Sequence, residues 1–328
     1  MRICIYGAGA IGCYLGAHLA RVPDISLTMV ARGATLAALR ERGLRLETAG
    51  GSTEITVQAT DAPATLPPQD VVFITLKAHQ LSGALAGIAP LLGPETAVVP
   101  PTTGIPYWYF HRLAGPHEGR RLERLDPGGR QWAVLTPERA IGCAFWVGLD
   151  TLGPGTVRQE GTGAGFPIGE PDGTRSDRLL RLHRVMTEAG LRAPIRDDIR
   201  GEIWTKMINS LVWNPIATLT RATLGEIGTA PDVVALARAM MGEAEAVARA
   251  LGATLSAPAE RRIAWTLAAA GHRMSMLQDL ERGRILEYGV LRDSIAAMRE
   301  IAGLETPAID AALALLALQA RIAGVAPP

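Results

Sequence analysis

The amino end of the chain constrains it most. Arg2-Ile3-Cys4-Ile5-Tyr6 is a short apolar run of strand type, and Gly7-Ala8-Gly9-Ala10-Ile11-Gly12 follows without a gap. From Ile11 to about Arg21 the pattern is that of an amphipathic helix. A Gly-x-Gly-x-x-Gly motif alone says little. Between a strand and a helix that open a βαβ unit it predicts a dinucleotide site. The first glycine permits a tight turn, the second lets the backbone approach a pyrophosphate, and the third lets helix and strand pack closely. The pyrophosphate would rest on the helix N-terminus, where free N–H groups and the dipole favour anions.

The alternation continues. Ile25 to Val30 reads as a second strand, Thr35 to Arg42 as a helix ending at Gly43, and Val71 to Leu76 and Ala97 to Val99 as buried strands of a parallel sheet. This predicts an α/β doubly wound domain. Gly115 to Gly129 has no helical period and is expected to be a surface excursion in the form of a long hairpin. Ile141 to Val147 should return as a strand. Residues 151–173, rich in glycine and proline, should form short edge strands and turns, and Leu179 to Glu188 a helix. Past residue 195 strand-like runs stop. Long helical patterns cover Asp198–Asn214, Val233–Leu251, Pro258–Leu280, Glu287–Ile301 and Thr306–Ile322. The expected division is residues 1–194, a dinucleotide-binding domain, and 195–328, an all-helical domain.

Composition excludes several classes. Lys+Arg is 33 and Asp+Glu is 32, a balance that argues against a nucleic-acid partner. No apolar run has the length of a membrane span, and with a strand expected from Arg2 no signal peptide is expected. Cys4, Cys13 and Cys143 are too few and too scattered for a disulfide framework or a zinc site, so no metal is expected and the cytoplasm is the expected home. Among the 33 basic residues only Lys77 and Lys206 are lysines, and Asn209 and Asn214 are the only asparagines. Lysines retained against such a bias point to positions that arginine cannot fill.

Those positions carry chemistry. The second strand ends at Val30-Ala31-Arg32-Gly33, where an NAD site would carry an acid. Arg32 without the acid favours a 2′-phosphate, hence NADP. Lys77 follows a strand at the carboxyl end, where open α/β sheets bind ligands, and Gln80 lies three residues on. In the helix 202–215, Ser210 and Asn214 fall about 40° and 80° from Lys206 on one face, and Asn209 about 60° to the other side. Apolar residues surround this polar face, so it is either a buried polar network or a catalytic lysine held by amides.

Taken together, GAGAIG at 7–12, TLKAHQ at 75–80, EIWTKMINSLVWNP at 202–215 and SMLQDLERGRILE at 275–287 resemble the ketopantoate reductase family. The resemblance implies a Rossmann-type N-terminal domain, a helical C-terminal domain of the 6-phosphogluconate dehydrogenase type, NADPH on the first and a 2-oxo acid in a cleft. It also implies roles. Lys206 matches the catalytic lysine, Asn214 and Ser275 match substrate contacts, Lys77 matches a cofactor-side lysine, and Glu287 matches a glutamate beside nicotinamide and substrate. A homodimer is compatible with it.

Three positions depart from the family. Thr103 stands where an asparagine between cofactor and substrate is usual, Ser210 where another asparagine is common, and Gly289 where an acid follows the glutamate. The aromatic run Tyr107-Trp108-Tyr109-Phe110 either walls the pocket or is a buried amphipathic helix. The expected function is NADPH-dependent reduction of a 2-oxo acid to a 2-hydroxy acid, ketopantoate to pantoate by default. The alternatives are a reductase of a different 2-oxo acid or ketone within the same family, bulkier acids included, and a non-catalytic NADP-binding sensor.

Overall fold

The computed structural model describes all residues except Thr102 and Pro328, and only the backbone of Thr162. The chain forms two compact units: Met1–Thr102 with Pro106–Ile199, and Thr103–Ile105 with Arg200–Pro328.

The first unit begins β1 (Arg2–Tyr6), α1 (Ala10–Leu19), β2 (Ser26–Val30), α2 (Gly33–Arg42), β3 (Leu44–Thr48), β4 (Gly51–Ile55) and β5 (Gln58–Thr60). It continues β6 (Gln69–Ile74), α3 (Ala78–Ile88), β7 (Leu92–Val99), α4 (Arg130–Leu135), β8 (Gly142–Cys143), β9 (Trp146–Gly153), β10 (Thr156–Gly165), β11 (Ile168–Gly169) and α5 (Asp177–Glu188). Five parallel strands lie in the order β5-β2-β1-β6-β7. The central β1 buries Ile3, Cys4 and Ile5 completely, as a strand covered on both faces must. This is the expected Rossmann-type domain.

A second sheet, in the order β4-β3-β10-β9, is one that the sequence pattern does not predict. It joins the early hairpin β3–β4 to β10, whose Thr156 to Arg158 run parallel to Arg45 to Glu47. Helix α1 packs against β1 and β2 and also against β3, β9 and β10. Covered on two sides, it buries Gly12, Cys13, Tyr14, Leu15, Gly16, Ala17 and Leu19, more than one stripe. Strand β10 is therefore ten residues long and internal, where short edge strands were expected for 151–173.

Residues 104–140 hold no hairpin. The chain turns at 107–112 and 115–119, and left-handed Gly128 and Gly129 lead into α4. Tyr107 to Phe110 are buried as expected for a packed run, but in consecutive turns rather than a helix. The Tyr107 hydroxyl donates to the Thr136 carbonyl at 3.2 Å, and Trp108 packs over Gly142, where a Cβ would come within 3.0 Å of the indole. The strand expected over Ile141–Val147 is interrupted between β8 and β9, which enter different sheets.

The second unit is helical: α6 (Ile199–Thr220), α7 (Leu224–Gly228), α8 (Pro231–Ala250), α9 (Ala259–Leu267), α10 (Ser275–Glu281), α11 (Tyr288–Ala302) and α12 (Pro307–Ile322). The single helix expected over Pro258–Leu280 is two. In the break, the carbonyls of Ala270 and His272 turn out to accept Gly225 N–H at 2.8 Å and Leu224 N–H at 3.1 Å. They thus satisfy first-turn donors of α7, which a continuous helix could not do.

Candidate active site

In the first unit the strand order β2-β1-β6 sets three carboxyl ends side by side. The turn after β1 is fixed by its glycines. Gly7 has φ +112°, and its N–H donates to Val30 O at 3.0 Å. Gly12 lies so close beneath that a Cβ would overlap the Gly7 carbonyl oxygen and come within 2.7 Å of Thr75 Oγ1. Thr75 in turn donates to the Gly7 carbonyl at 2.6 Å. Gly9 differs: it is exposed, and a Cβ on it would meet nothing within 4 Å. The protein therefore packs against Gly7 and Gly12 and leaves Gly9 open. Ala8, Ala10 and Ile11 flank it half-buried. Helix α1 has no side-chain cap and no acid in its first turn, so the positive end of its dipole is uncompensated. An open Gly9 above that end is what a pyrophosphate requires, and the dinucleotide fits.

Arg32 is exposed and serves as the N-cap residue of α2, one strand over from the glycine turn. Lys77, half-buried, is the N-cap residue of α3 on the other side. Gln80 is exposed, and its Oε1 accepts the Lys77 N–H at 3.1 Å. Its side chain caps the helix that presents the lysine. Thr75 is a support that the sequence pattern did not single out. Its signal is its place at the end of the strand next to the glycine turn.

In the second unit α6 buries Ile203, Trp204, Met207, Ile208, Leu211, Val212 and Trp213. Lys206 is half-buried among them, and that burial pulls its ammonium down to about 8 from the ordinary 10.5. Ser210 and Asn214, one and two turns on, are buried. Asn214 Oδ1 accepts the N–H of Met276 at 3.3 Å, which ties α6 to the first turn of α10 beside the exposed Ser275. Asn209 points to another neighbour: its Oδ1 accepts from Thr266 Oγ1 on α9 at 3.0 Å. Glu287 is half-buried at the N-cap position of α11, preceded by Leu286, whose N–H donates to Val325 O at 3.0 Å. Gly289 lies in the first turn of that helix, and a Cβ there would have ordinary contact with Pro327 Cγ at 3.5 Å, so no packing demands a glycine. Thr103 belongs to this unit and is half-buried.

Comparison with known proteins gives the family. The family profile described as ketopantoate reductase PanE/ApbA matches residues 3–105, and its C-terminal counterpart matches 198–320. A 2-dehydropantoate 2-reductase of Mesorhizobium japonicum is 45% identical over 96% of this chain and 97% of its own length. A Ralstonia solanacearum MolK2 structure, described as a candidate ketopantoate reductase, is 39% identical with a TM-score of 0.92, covering 99% of both chains. The fold extends further, to a D-mandelate dehydrogenase solved with NADH and anilino(oxo)acetate, 21% identical with a TM-score of 0.83 over 99% of this chain and all of that one. On the two family profiles and the 45% identity, this chain belongs to the ketopantoate reductase family.

Proposed function

We propose that this protein reduces a 2-oxo acid to the 2-hydroxy acid with NADPH, ketopantoate being the default substrate. The observation that carries the reading is Lys206. A lysine whose burial brings it to about 8 holds its proton at neutral pH yet gives it up readily, as a general acid should. A nicotinamide held by the Gly7–Gly12 turn would supply the hydride for the carbonyl carbon. Lys206 then donates its proton to the carbonyl oxygen as negative charge grows there. Glu287 orients the ammonium and favours its charged form. Asn214 and Ser275 hold the oxo acid, with Ser210, Asn209 and Thr103 as further contacts. The turn Gly7–Gly12 and the end of α1 carry the pyrophosphate, with Lys77 on the cofactor side. Arg32 supports NADP over NAD through a charge-assisted pair with the 2′-phosphate. The three free thiols fit a reducing cytoplasm.

A panel of 2-oxo acids with NADPH, followed by the loss of absorbance at about 340 nm, tests the reading. Turnover of at least one acid is expected, faster with NADPH than with NADH, and Arg32→Glu should weaken NADPH far more than NADH. A protein that binds NADPH and turns over none of the panel would be the sensor instead. Equal affinity of the unmutated protein for both cofactors would remove Arg32 from the argument.

A second reading is favoured by Thr103, Ser210 and Gly289, which alter the shell that grips the substrate while Lys206 and Glu287 are kept. On that reading the preferred acid is a different and bulkier one.

A further inference from the structure

The segment Thr103–Ile105 lies on the second unit although the chain before and after it belongs to the first. Its attachment is specific. The Ile105 N–H donates to Ser294 Oγ at 3.0 Å. Gly104 lies against the same helix: a Cβ there would overlap Ser294 Oγ and come within 3.0 Å of Val290 Cγ2 and 3.2 Å of the Val290 carbonyl oxygen. Ser294 is fully buried and Ile105 nearly so, so neither partner of the hydrogen bond can turn to water for a substitute. On α11, Val290 and Ser294 follow Glu287 by three and seven residues, within about 60° and 20° of its direction. The segment is thus clamped to the face of the helix whose start carries Glu287, with Thr103 as the next residue out.

We propose that Ser294 is a positioning residue. It latches Ile105, and with Gly104 pressed flat on α11 it holds Thr103 in fixed relation to Glu287. The residue at 103 then meets substrate from a set position, and its identity can set specificity. A side chain in place of Gly104 would lift the segment off. This inference rests on the reading that Thr103 contacts substrate, but the latch itself can be tested without it.

Two measurements on the full chain decide it. The first is hydrogen exchange of the Ile105 amide in the unmutated protein and in Ser294→Ala, which keeps the Cβ and removes the acceptor. Exchange at least about tenfold faster in the variant is expected, with the rest of α11 unchanged. Equal protection overturns the latch, whatever the enzyme does. The second is a double-mutant cycle with Thr103→Ala on the accepted oxo acid. Ser294→Ala should lower kcat/KM by about five- to 100-fold, the effect of stranding one buried donor, with NADPH binding unchanged. In the Thr103→Ala background it should cost almost nothing more. Additive losses would show that Ser294 does not act through Thr103. Gly104→Ala is the second variant: its Cβ meets Ser294 Oγ and Val290 and should speed Ile105 exchange as Ser294→Ala does, whereas exchange as slow as in the unmutated protein would overturn the latch. If no acid in the panel is reduced, the proposed function fails, while faster Ile105 exchange would still establish the latch.

Discussion

Asn214 Oδ1 accepts the backbone N–H of Met276 at 3.3 Å, so the carbonyl half of this amide is committed to holding α10 and the NH2 half is left to donate. Substitutions separate the two halves. Asn214→Asp keeps an acceptor for Met276 and loses the donor, so it should raise KM for the oxo acid at least about tenfold, and the buried carboxylate should lower Tm relative to the neutral amide. Asn214→Leu loses both and should also lower Tm, because a buried N–H goes unpaired. Equal KM values for Asn214→Asp and the unmutated protein would take this residue out of substrate binding.

Lys206→Arg should lower kcat by ~10²–10⁴ while leaving NADPH affinity nearly intact, since a guanidinium is a poor proton donor at neutral pH. Near-normal kcat in a regime where chemistry limits the rate would remove Lys206 from the reaction.

The same lysine predicts pH behaviour. As the proton donor, with a pKa lowered to about 8, it should make kcat for reduction fall as pH rises through about 8. Stability moves the other way. Between about 8 and the ordinary 10.5 the unfolded chain binds more protons at this site than the folded one, so this residue's contribution to stability rises with pH. The Tm of the unmutated protein should therefore gain on that of Lys206→Met between pH ~7 and ~10. A constant difference in Tm would contradict the burial of the charge.

Thr103→Asn restores the amide usual in the family, which can donate and accept at once where a hydroxyl has one proton. It should raise kcat/KM for ketopantoate at least several-fold and lower it for a bulkier preferred acid. If the unmutated protein already turns ketopantoate over at ~10⁵ M⁻¹s⁻¹ or better and the substitution adds nothing, the altered-specificity reading is wrong.

Gly289→Asp should fold without penalty. The site has room for a Cβ, an acid in a first helical turn meets the favourable end of the dipole, and Asp exceeds glycine in helix propensity by roughly a few tenths of a kcal/mol. Its Tm should be equal or higher, and its KM for ketopantoate should shift. A clear drop in Tm would mean that the glycine serves packing after all.

What the sequence made legible was local. The strand Arg2–Tyr6, the glycine turn and the helix after it are encoded by adjacent residues, and they appear where expected. Lys206 and Asn214 share a helix whose start and period are readable, so their common face is too, but its end is not: the helix runs through Pro215 to Thr220 instead of stopping at Asn214. The second sheet was not legible because β3 and β10 pair across more than a hundred residues and neither is an apolar run. Nor was the partner of Asn209. Helical angles place it about 60° from Lys206, but they do not say that Thr266 on α9 would be there. The break between α9 and α10 follows from α7 needing acceptors, a demand made by a segment far away in sequence. Ser294 carried no signal, being one of eight serines and in no motif until its distance from Ile105 is known.

The two-sided cover of α1 has a consequence for synthesis. One cover, β1 and β2, leaves the ribosome together with the helix, but the strand β10 that completes the other comes well over a hundred residues later. At translation rates of ~5–20 residues per second, the second apolar face of α1 stays bare for many seconds. The nascent chain thus carries an exposed hydrophobic helix until about residue 165 has emerged. A chain cut short before β9 should aggregate or remain bound to a chaperone, although its parallel sheet would already be complete.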